Sequence, residues 1–596
     1  MFNIIVKKNE QETDYSYANN IDFNNLNQGL GPIFVLYIVF NLLESRKISI
    51  DDIVEINDIA LKEKGKGVVG YQRTDKINLL QVLSNFKVTA GVDSLFLLAN
   101  HVYIKTQKKM SEYFNDLISQ YGLSPDCALN LSGKPNSKLK QVYSLKDIEV
   151  IAILLARINP FYKNVLSLSK IFYKGKNFIA NTYLLDLNKI TYFFSFLNVS
   201  IAWHQTGINT FTIIISQGID QVFQQDSVIE RILLNQPINL DTIANNKVNT
   251  ELNKPNVVVN IIGDTYLGEY YTERRRKRKN FFDPLIHGGY DYSFEKIKDF
   301  LKDADINLAN HEACFIDDNI QSPLKGLKKF ILGAKDQPTV DALKKANIHY
   351  LSLANNHIAD YGDLGVWHSL KTLKQAGIHA CGAGMNEVDA CKPIRIKING
   401  RVISLYSGYW HRATNQKIFK FYATPSQPGV ATLESMLSEA IQYEKKHYPE
   451  HMVIVLAHWG VDFLPTQHYQ RNIAKQLFNY GADLIVGHGA HTLQSIEQFE
   501  NKVVLFSIGN GIFNSDGEYD GYPNALPFGI IAQLIFEKDK MALRLLPILS
   551  NNRKSMWQPD FVQIEEFKAV QEFYANNEFD YINSTKWPYF FEKNLI

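Results

Sequence analysis

Between His451 and Phe513 three short apolar runs each end in groups able to hold a cation or a proton. HMVIVLAHWG delivers His458, GADLIVGHGAH delivers His488 and His491, and KVVLFSIGN delivers Ser507 and Asn510. The design recurs upstream: PNVVVNIIGD ends at Asp264, ADINLANHE at Asn310, His311 and Glu312, and IHYLSLANNH at Asn355, Asn356 and His357. Carboxylate, amide oxygen and imidazole together suit a divalent cation engaged in hydrolysis. One histidine after a strand is usually structural; the same chemistry at the ends of several strands points to a shared site.

The positioning elements follow from periodicity. HMVIVLA, ADLIV and KVVLF are short, aliphatic and β-branched, the signature of buried strands. Tyr469, Ile473 and Leu477 recur at four-residue spacing between the first two, as on a helix crossing back over a sheet. Strand, helix, strand in this order predicts a parallel sheet, and in such sheets ligand groups collect where strands end. The expectation is that Asp264, Glu312, Asn356, His458 and His491 each follow a separate strand of one parallel sheet. Val366, Leu370 and Leu373 mark one covering helix, and ATLESMLSEAIQYEKKH another.

GDTYLG, NHE, LANNHIADYG, HWG, GADLIVGHGAH and LFSIGNGIF, in this order, resemble the serial motifs of CapA/PgsA-type poly-γ-glutamate capsule biosynthesis proteins, over roughly residues 255 to 550. The resemblance implies a calcineurin-like metallophosphoesterase α/β sandwich. It implies a centre of one or two divalent ions (Mn, Fe or Zn) held by Asp264, Glu312, Asn356, His458 and His491. His357, paired with Asp360 three positions on, would be the acid/base residue. The chain departs from the family at Gly489-Ala490-His491, where His-Pro-His is usual, so Gly489 stands at a ligand position. His488, one residue early, and His311 are the residues that would compensate; in an extended segment a one-residue shift reverses side-chain direction.

Six consecutive cations, Arg274 to Lys279, follow the first of these motifs. Arg274, Arg275 and Arg276, with Asn310 and Asn510, are candidates to meet an anionic small-molecule or poly-amino-acid substrate; a solvated loop is the other reading of such a run. No aromatic interleaving accompanies it, so nucleic acid is not expected as a partner. The net charge of +2 implies no global polyanion partner. Cys127, Cys314, Cys381 and Cys391 form no CxxC, and no disulfide framework is expected. The start MFNIIVKKNEQETDYS lacks the pattern of a signal peptide, and the longest apolar run, Ile33 to Phe40, is too short for a transmembrane segment. The expectation is a soluble, cytoplasmic protein.

Residues 1–240 read as an α+β unit. MFNIIVKK opens as a strand, Pro32 to Leu43 is a buried helix, INLLQVLSNF and DSLFLLANHVY are helical, and Ser144 caps SLKDIEVIAILLARI. FFSFLNVSIAW and NTFTIIISQ are late strands. The order of these pieces, over roughly residues 3 to 225, resembles the D-alanyl-D-alanine carboxypeptidases of the penicillin-binding-protein and β-lactamase superfamily. The catalytic elements do not carry over. Gly29 and Pro32 stand at the Ser-x-x-Lys positions, Ala90-Gly91-Val92 at Ser-x-Asn, and Gln205-Thr206-Gly207 at Lys-Thr-Gly. A hydroxyl nucleophile needs a base within hydrogen-bond reach, so the domain is read as a non-catalytic pseudoenzyme.

The expected domains are therefore 1–240, a linker at 241–256, a metallophosphoesterase-like domain at 257–550 and a C-terminal extension at 551–596. Two functions stand: a metal-dependent phosphoesterase-like hydrolase of anionic poly-amino-acid biosynthesis, or a non-catalytic accessory of an amide-ligase partner.

Overall fold

The computed structural model describes residues 3–8, 11–12, 31–64, 67–123, 145–180, 182–185, 190–196, 199–205, 211–217, 222–234, 239–245, 247–277, 282–522, 524–537, 540–575, 582–583 and 587–595. Gly29, Cys127, Ser144, Thr206, Gly207, Arg278 and Lys279 lie outside them. The chain divides into two units, Met1–Pro237 and Ile238–Ile596.

In the first unit the opening strand Asn3–Lys8 pairs antiparallel with the late strand Phe211–Gln217. The sheet continues antiparallel through Val199–Gln205 and Tyr192–Phe196. The helix Gly31–Glu44 is apolar all round, and every residue from Ile33 to Phe40 is buried, as the centre of a core demands. Helices Leu79–Thr89 and Val92–Thr106 meet at Ala90 and Gly91. A Cβ on Gly91 would lie 2.3 Å from the Gly67 carbonyl oxygen, so that corner is closed by backbone packing.

The second unit is built on strands β1 (Val257–Tyr266), β2 (Ile306–His311), β3 (Tyr350–Ser352), β4 (Arg401–Tyr409), β5 (Met452–His458), β6 (Leu484–His488), β7 (Lys502–Leu505), β8 (Asn510–Phe513), β9 (Phe528–Phe536), β10 (Met541–Leu549) and β11 (Phe591–Asn594). Its helices include α1 (Glu269–Arg276), α2 (Gly362–Ala376), α3 (Met436–His447), α4 (His468–Tyr480) and α5 (Ile564–Tyr574).

The strands form two sheets, not the single parallel sheet expected. In one, β3, β2 and β1 run parallel, β8 joins β1 in parallel, and β9, β10 and β11 extend it antiparallel. In the other, β4, β5, β6 and β7 are all parallel. Alternate residues explain the separation. Val257, Val259 and Ile261 of β1 share one apolar core with Ile454 and Leu456 of β5 and Leu484 and Val486 of β6. The opposite face of the second sheet, with Val453, Val455 and Ile485, packs under Leu437 and Ile441 of α3 and Ile473 and Leu477 of α4. A strand buried on both faces reads as one continuous apolar run whichever sheet it joins, so sheet membership is not encoded in such runs.

Two expected boundaries differ. The polar stretch 241–256 is not a linker: Asp241–Ala244 is helical and Thr250–Leu252 pairs in parallel with Ile394–Ile398 at a sheet edge. An edge strand needs little apolar surface, so its composition imitates a linker. Residues after 551 return to the same core, with Phe567, Tyr574 and Phe591 buried and β11 hydrogen-bonded to β10. No helix among the described residues is long and apolar enough to cross a membrane.

Candidate metal centre

Register assembles the site. In the first sheet Asp264 pairs with Asn310 on one side and Asn510 on the other. In the second, Tyr409 pairs with His458, and His458 with His488. These two rows cap the core that the sheets share. His458 and His488 keep the parity of the inward residues Leu456 and Val486, so both face inward. Asp264 would face outward by the parity of Ile261. The register shift between Ile262 and Asp264, one extra residue at Gly263, turns it inward. A Cβ on Gly263 would lie 2.0 Å from the Gly509 carbonyl oxygen, so the bulge admits only glycine.

Asp264 is fully buried. Its Oδ1 accepts from Asn310 Nδ2 at 2.8 Å, and its Oδ2 from the Gly489 amide at 3.0 Å. His488 Nδ1 lies 3.5 Å from Oδ1 and His491 Nδ1 lies 3.3 Å from Oδ2. His458 Nδ1 is 2.9 Å from His488 Nδ1, and its Nε2 is 2.9 Å from Asn356 Oδ1. Glu312 Oε1 stands 3.8 Å from His458 Nε2, 3.8 Å from His491 Nε2 and 3.7 Å from His357 Nε2. All five residues expected to hold metal thus converge, although from two sheets. Two ligand groups share Asp264: one with His458 and His488, one with Glu312 and His491, each with donor atoms within 4.8 Å of one another.

The carboxylate of Glu312 tests whether these residues fit a cation. Glu312 is fully buried, and neither of its oxygens has a hydrogen-bond partner. A buried ionised carboxylate left unpaired is strongly disfavoured. Burial, followed by the nearby Asp264 charge, accordingly pushes the Glu312 carboxyl well above its usual range. Burial also opposes ionisation of Asp264, but its hydrogen bonds to His488 and His491 outweigh it and hold that carboxyl well below. One carboxylate is thus satisfied by hydrogen bonds, while the other has none and faces imidazole nitrogens 3.7–3.8 Å from its Oε1. This donor set fits a divalent cation.

His488 and His311 part company. Gly489, at the position where the resembled family has a histidine, adopts φ +99°, and a Cβ there would lie 2.8 Å from His458 Nε2. The chain therefore turns at Gly489, and the last extended residue, His488, supplies the inward imidazole. His311 is one residue past the inward Asn310, so it faces away: its ring stacks on Phe315 at 4.3 Å and both its nitrogens are buried without partners. His491 is held at φ +56°, a left-handed conformation rare outside glycine, with its carbonyl accepting from Tyr519 Oη at 2.8 Å.

His357 Nδ1 lies 2.7 Å from Asp360 Oδ2, joining the two residues expected to do acid/base chemistry. Asn355 holds the turn, its Oδ1 accepting from the amides of His357 and Ile358. Burial, then the adjacent Lys328 charge, lowers the His357 pKa below its usual value. Sequence reasoning missed Lys328, whose Nζ contacts Asp360 Oδ1 and lies 2.6 Å from the Asn356 carbonyl oxygen. Nothing in KGLKKF distinguishes it from its neighbouring lysines. It also missed Tyr409, whose ring centroid is 5.5 Å from that of His458. There the signal was present: RVISLYSGYWH is another apolar strand with a polar end.

The residues expected to meet a substrate have different surroundings. Arg275 is buried and pairs with Asp283 and Asp516 and with the carbonyls of Asn514 and Ser515, so it anchors α1. Arg274 and Arg276 are exposed. Helical spacing set these neighbours on different faces. Asn310 and Asn510 are buried; Asn310 Nδ2 donates to Asp264, and Asn510 Oδ1 lies 2.8 Å from His491 Nδ1, so both brace ligands. Among the described residues, Cys314, Cys381 and Cys391 are buried and form no disulfide.

A two-sheet α/β sandwich with a mixed carboxylate, amide and imidazole centre at the strand ends is of the metallophosphoesterase-like type. Residues 258–515 match the family model described as bacterial capsule synthesis protein PGA_cap, and this part of the chain is a PGA_cap domain. The capsule biosynthesis protein CapA of Bacillus anthracis is 31% identical over 264 residues, which cover 43% of this chain and 60% of that protein. A probable polyglutamine synthesis accessory protein of Mycobacterium tuberculosis is 28% identical over 189 residues, covering 30% of this chain and 48% of that protein. The chain thus spans between about half and three fifths of the length of these curated relatives. Among solved structures, penicillin binding protein 5 from Haemophilus influenzae matches with a TM-score of 0.32 and 17% identity over 39% of this chain and 69% of that one. The likeness lies in the N-terminal region and at that level defines neither activity nor ligand.

Proposed function

We propose that the PGA_cap domain is a divalent-metal-dependent hydrolase of phosphoester-type substrates that serves the production of an anionic poly-amino acid of the poly-γ-glutamate kind. The observation that carries this reading is the buried, unpartnered carboxylate of Glu312 among Asp264, Asn356, His458, His488 and His491. The match to capsule synthesis proteins supports the biosynthetic setting.

Asp264, Glu312, Asn356, His458, His488 and His491 would hold one or two ions, and Mn²⁺, Fe or Zn²⁺ suits the mixed set. When bound, such an ion supplies Lewis-acid activation of water and polarises a phosphoryl oxygen. His357 gives its Nδ1 to Asp360 and presents Nε2 on the Glu312 side, where it would serve as the acid/base residue by taking up a proton of the attacking water. Asn310 and Asn510 hold Asp264 and His491 in place.

The test is hydrolysis of bis(p-nitrophenyl) phosphate by the purified chain loaded with Mn²⁺. Turnover that Glu312→Gln abolishes is expected. Turnover unchanged in that variant would contradict the reading.

A second reading keeps the domain as a non-catalytic accessory of an amide-ligase partner. Gly489 at a ligand position favours it, as does the word accessory in the name of the mycobacterial relative. Metal binding without turnover on any phosphoester would select it.

A further inference from the structure

We propose that Lys328 is a positioning residue that fixes the tautomer and orientation of His357 through Asp360, a role that rests on the hydrolase reading of the site. Asp360 is fully buried in the turn after β3. Its Oδ2 accepts from the Leu332 amide at 2.7 Å and faces His357 Nδ1 at 2.7 Å, while its Oδ1 accepts from Lys328 Nζ. A carboxylate held by two such donors only accepts, so the hydrogen between it and His357 sits on Nδ1. Nε2 is then the free nitrogen, 3.7 Å from Glu312 Oε1.

Lys328 does more than neutralise Asp360. Its Nζ donates to the Asn356 carbonyl oxygen at 2.6 Å, steadying the peptide whose side-chain Oδ1 lies 2.9 Å from His458 Nε2. It also lies 3.2 Å from His357 Nδ1 and 4.7 Å from the centroid of the Phe421 ring, which closes over it. One ammonium therefore ties a carboxylate and a ligand-bearing backbone together beside the imidazole, which it reaches through Asp360. Lys328 comes from the irregular segment between Cys314–Ile316 and Gly333–Lys335, outside every strand that ends at the site. Without this cation, Asp360 can take up a proton and donate it to Nδ1, which moves the ring hydrogen to Nε2 and removes the free nitrogen.

The experiment follows the ring nitrogens directly. Zn²⁺-loaded protein labelled with ¹⁵N-histidine is examined by long-range ¹H–¹⁵N correlation, with His357 assigned by its loss in His357→Gln. The wild type should show the Nδ1–H tautomer, and Lys328→Met should convert it wholly or partly to Nε2–H. Lys328→Arg, which keeps the charge, should restore the Nδ1–H form. Asp360→Asn should disturb the ring as Lys328→Met does, and serves if the latter fails to fold. With bis(p-nitrophenyl) phosphate, Lys328→Met should lower kcat about 10- to 100-fold with KM nearly unchanged and bound Zn²⁺ unchanged. An Nδ1–H tautomer unaltered in Lys328→Met and Asp360→Asn, or a raised KM with kcat preserved, would overturn the assignment. If the wild type turns nothing over, the hydrolase reading fails, while the tautomer still decides the role of Lys328.

Discussion

Gly489 and His488 show how a one-residue difference is absorbed at a site. From sequence alone His488 was one place too early, because the end of β6 could not be read from GADLIVGHGAH. The strand carries extended geometry through His488 and turns immediately after it, so parity with Leu484 and Val486 brings His488 inward. The same parity rule sends His311 outward beside the inward Asn310. Asp264, Glu312, Asn356, His458 and His491 were legible because each follows a recognisable strand. Lys328 was not, because a long side chain from an irregular segment leaves no periodic trace. Gly489→Ala is expected to push the new methyl onto His458 and to strain a left-handed residue. It should cost about 1–3 kcal/mol and lower bound metal more than His311→Ala, as calorimetric unfolding and metal analysis of the two variants would show. Equal metal content in both would remove the account of the Gly489 turn.

At the scale of elements, helix α1 illustrates a composition signal that joins side chains with different roles. The run beginning at Arg274 reads as a cationic patch, yet Arg275 is bound to Asp283 and Asp516, and only its neighbours face solvent. The first residue of the helix is Glu269. Its Oε1 accepts from the Lys335 amide at 2.9 Å, while its buried Oε2 has no partner. Burial pushes this carboxyl from its ordinary 4.5 up to about 7. A raised acid stabilises the fold in its protonated form: the contribution is full below about pH 4.5 and is lost as pH rises through about 7. Its size is about 3 kcal/mol. Glu269→Gln should therefore be more stable than wild type above pH 7 and should lose this part of the decline between about pH 4.5 and 7. A wild-type and variant difference independent of pH would contradict it. The bulge at Gly263 was equally hidden, since glycine in a strand marks a close approach without saying which neighbour approaches; here it is the Gly509 carbonyl.

At the scale of the whole molecule, the broad fold classes were legible and the sheet pairing was not. Continuous apolar strands carry no record of the sheet they enter, and the Asn-rich stretch after the first unit hid an edge strand. The first unit has the buried helix and late strands that periodicity predicts. Pro32 and Val92 offer no amine or amide to a substrate, and the Gln205 side chain bonds to Lys163 at 2.8 Å. A fluorescent penicillin is expected to leave the protein unlabelled; a covalent adduct mapped before Leu240 would make the chain bifunctional. The second unit carries the central claim, that side chains from two sheets form a divalent-cation site. Its most direct measurement is the metal content of the chelator-stripped protein after reconstitution with Mn²⁺ or Zn²⁺, for wild type, Glu312→Gln, His488→Ala and the variant carrying both substitutions. The two ligand groups sharing Asp264 predict two ions in wild type and one in each variant; wild-type content no higher than that of a variant lacking both Glu312 and His488 would contradict the account.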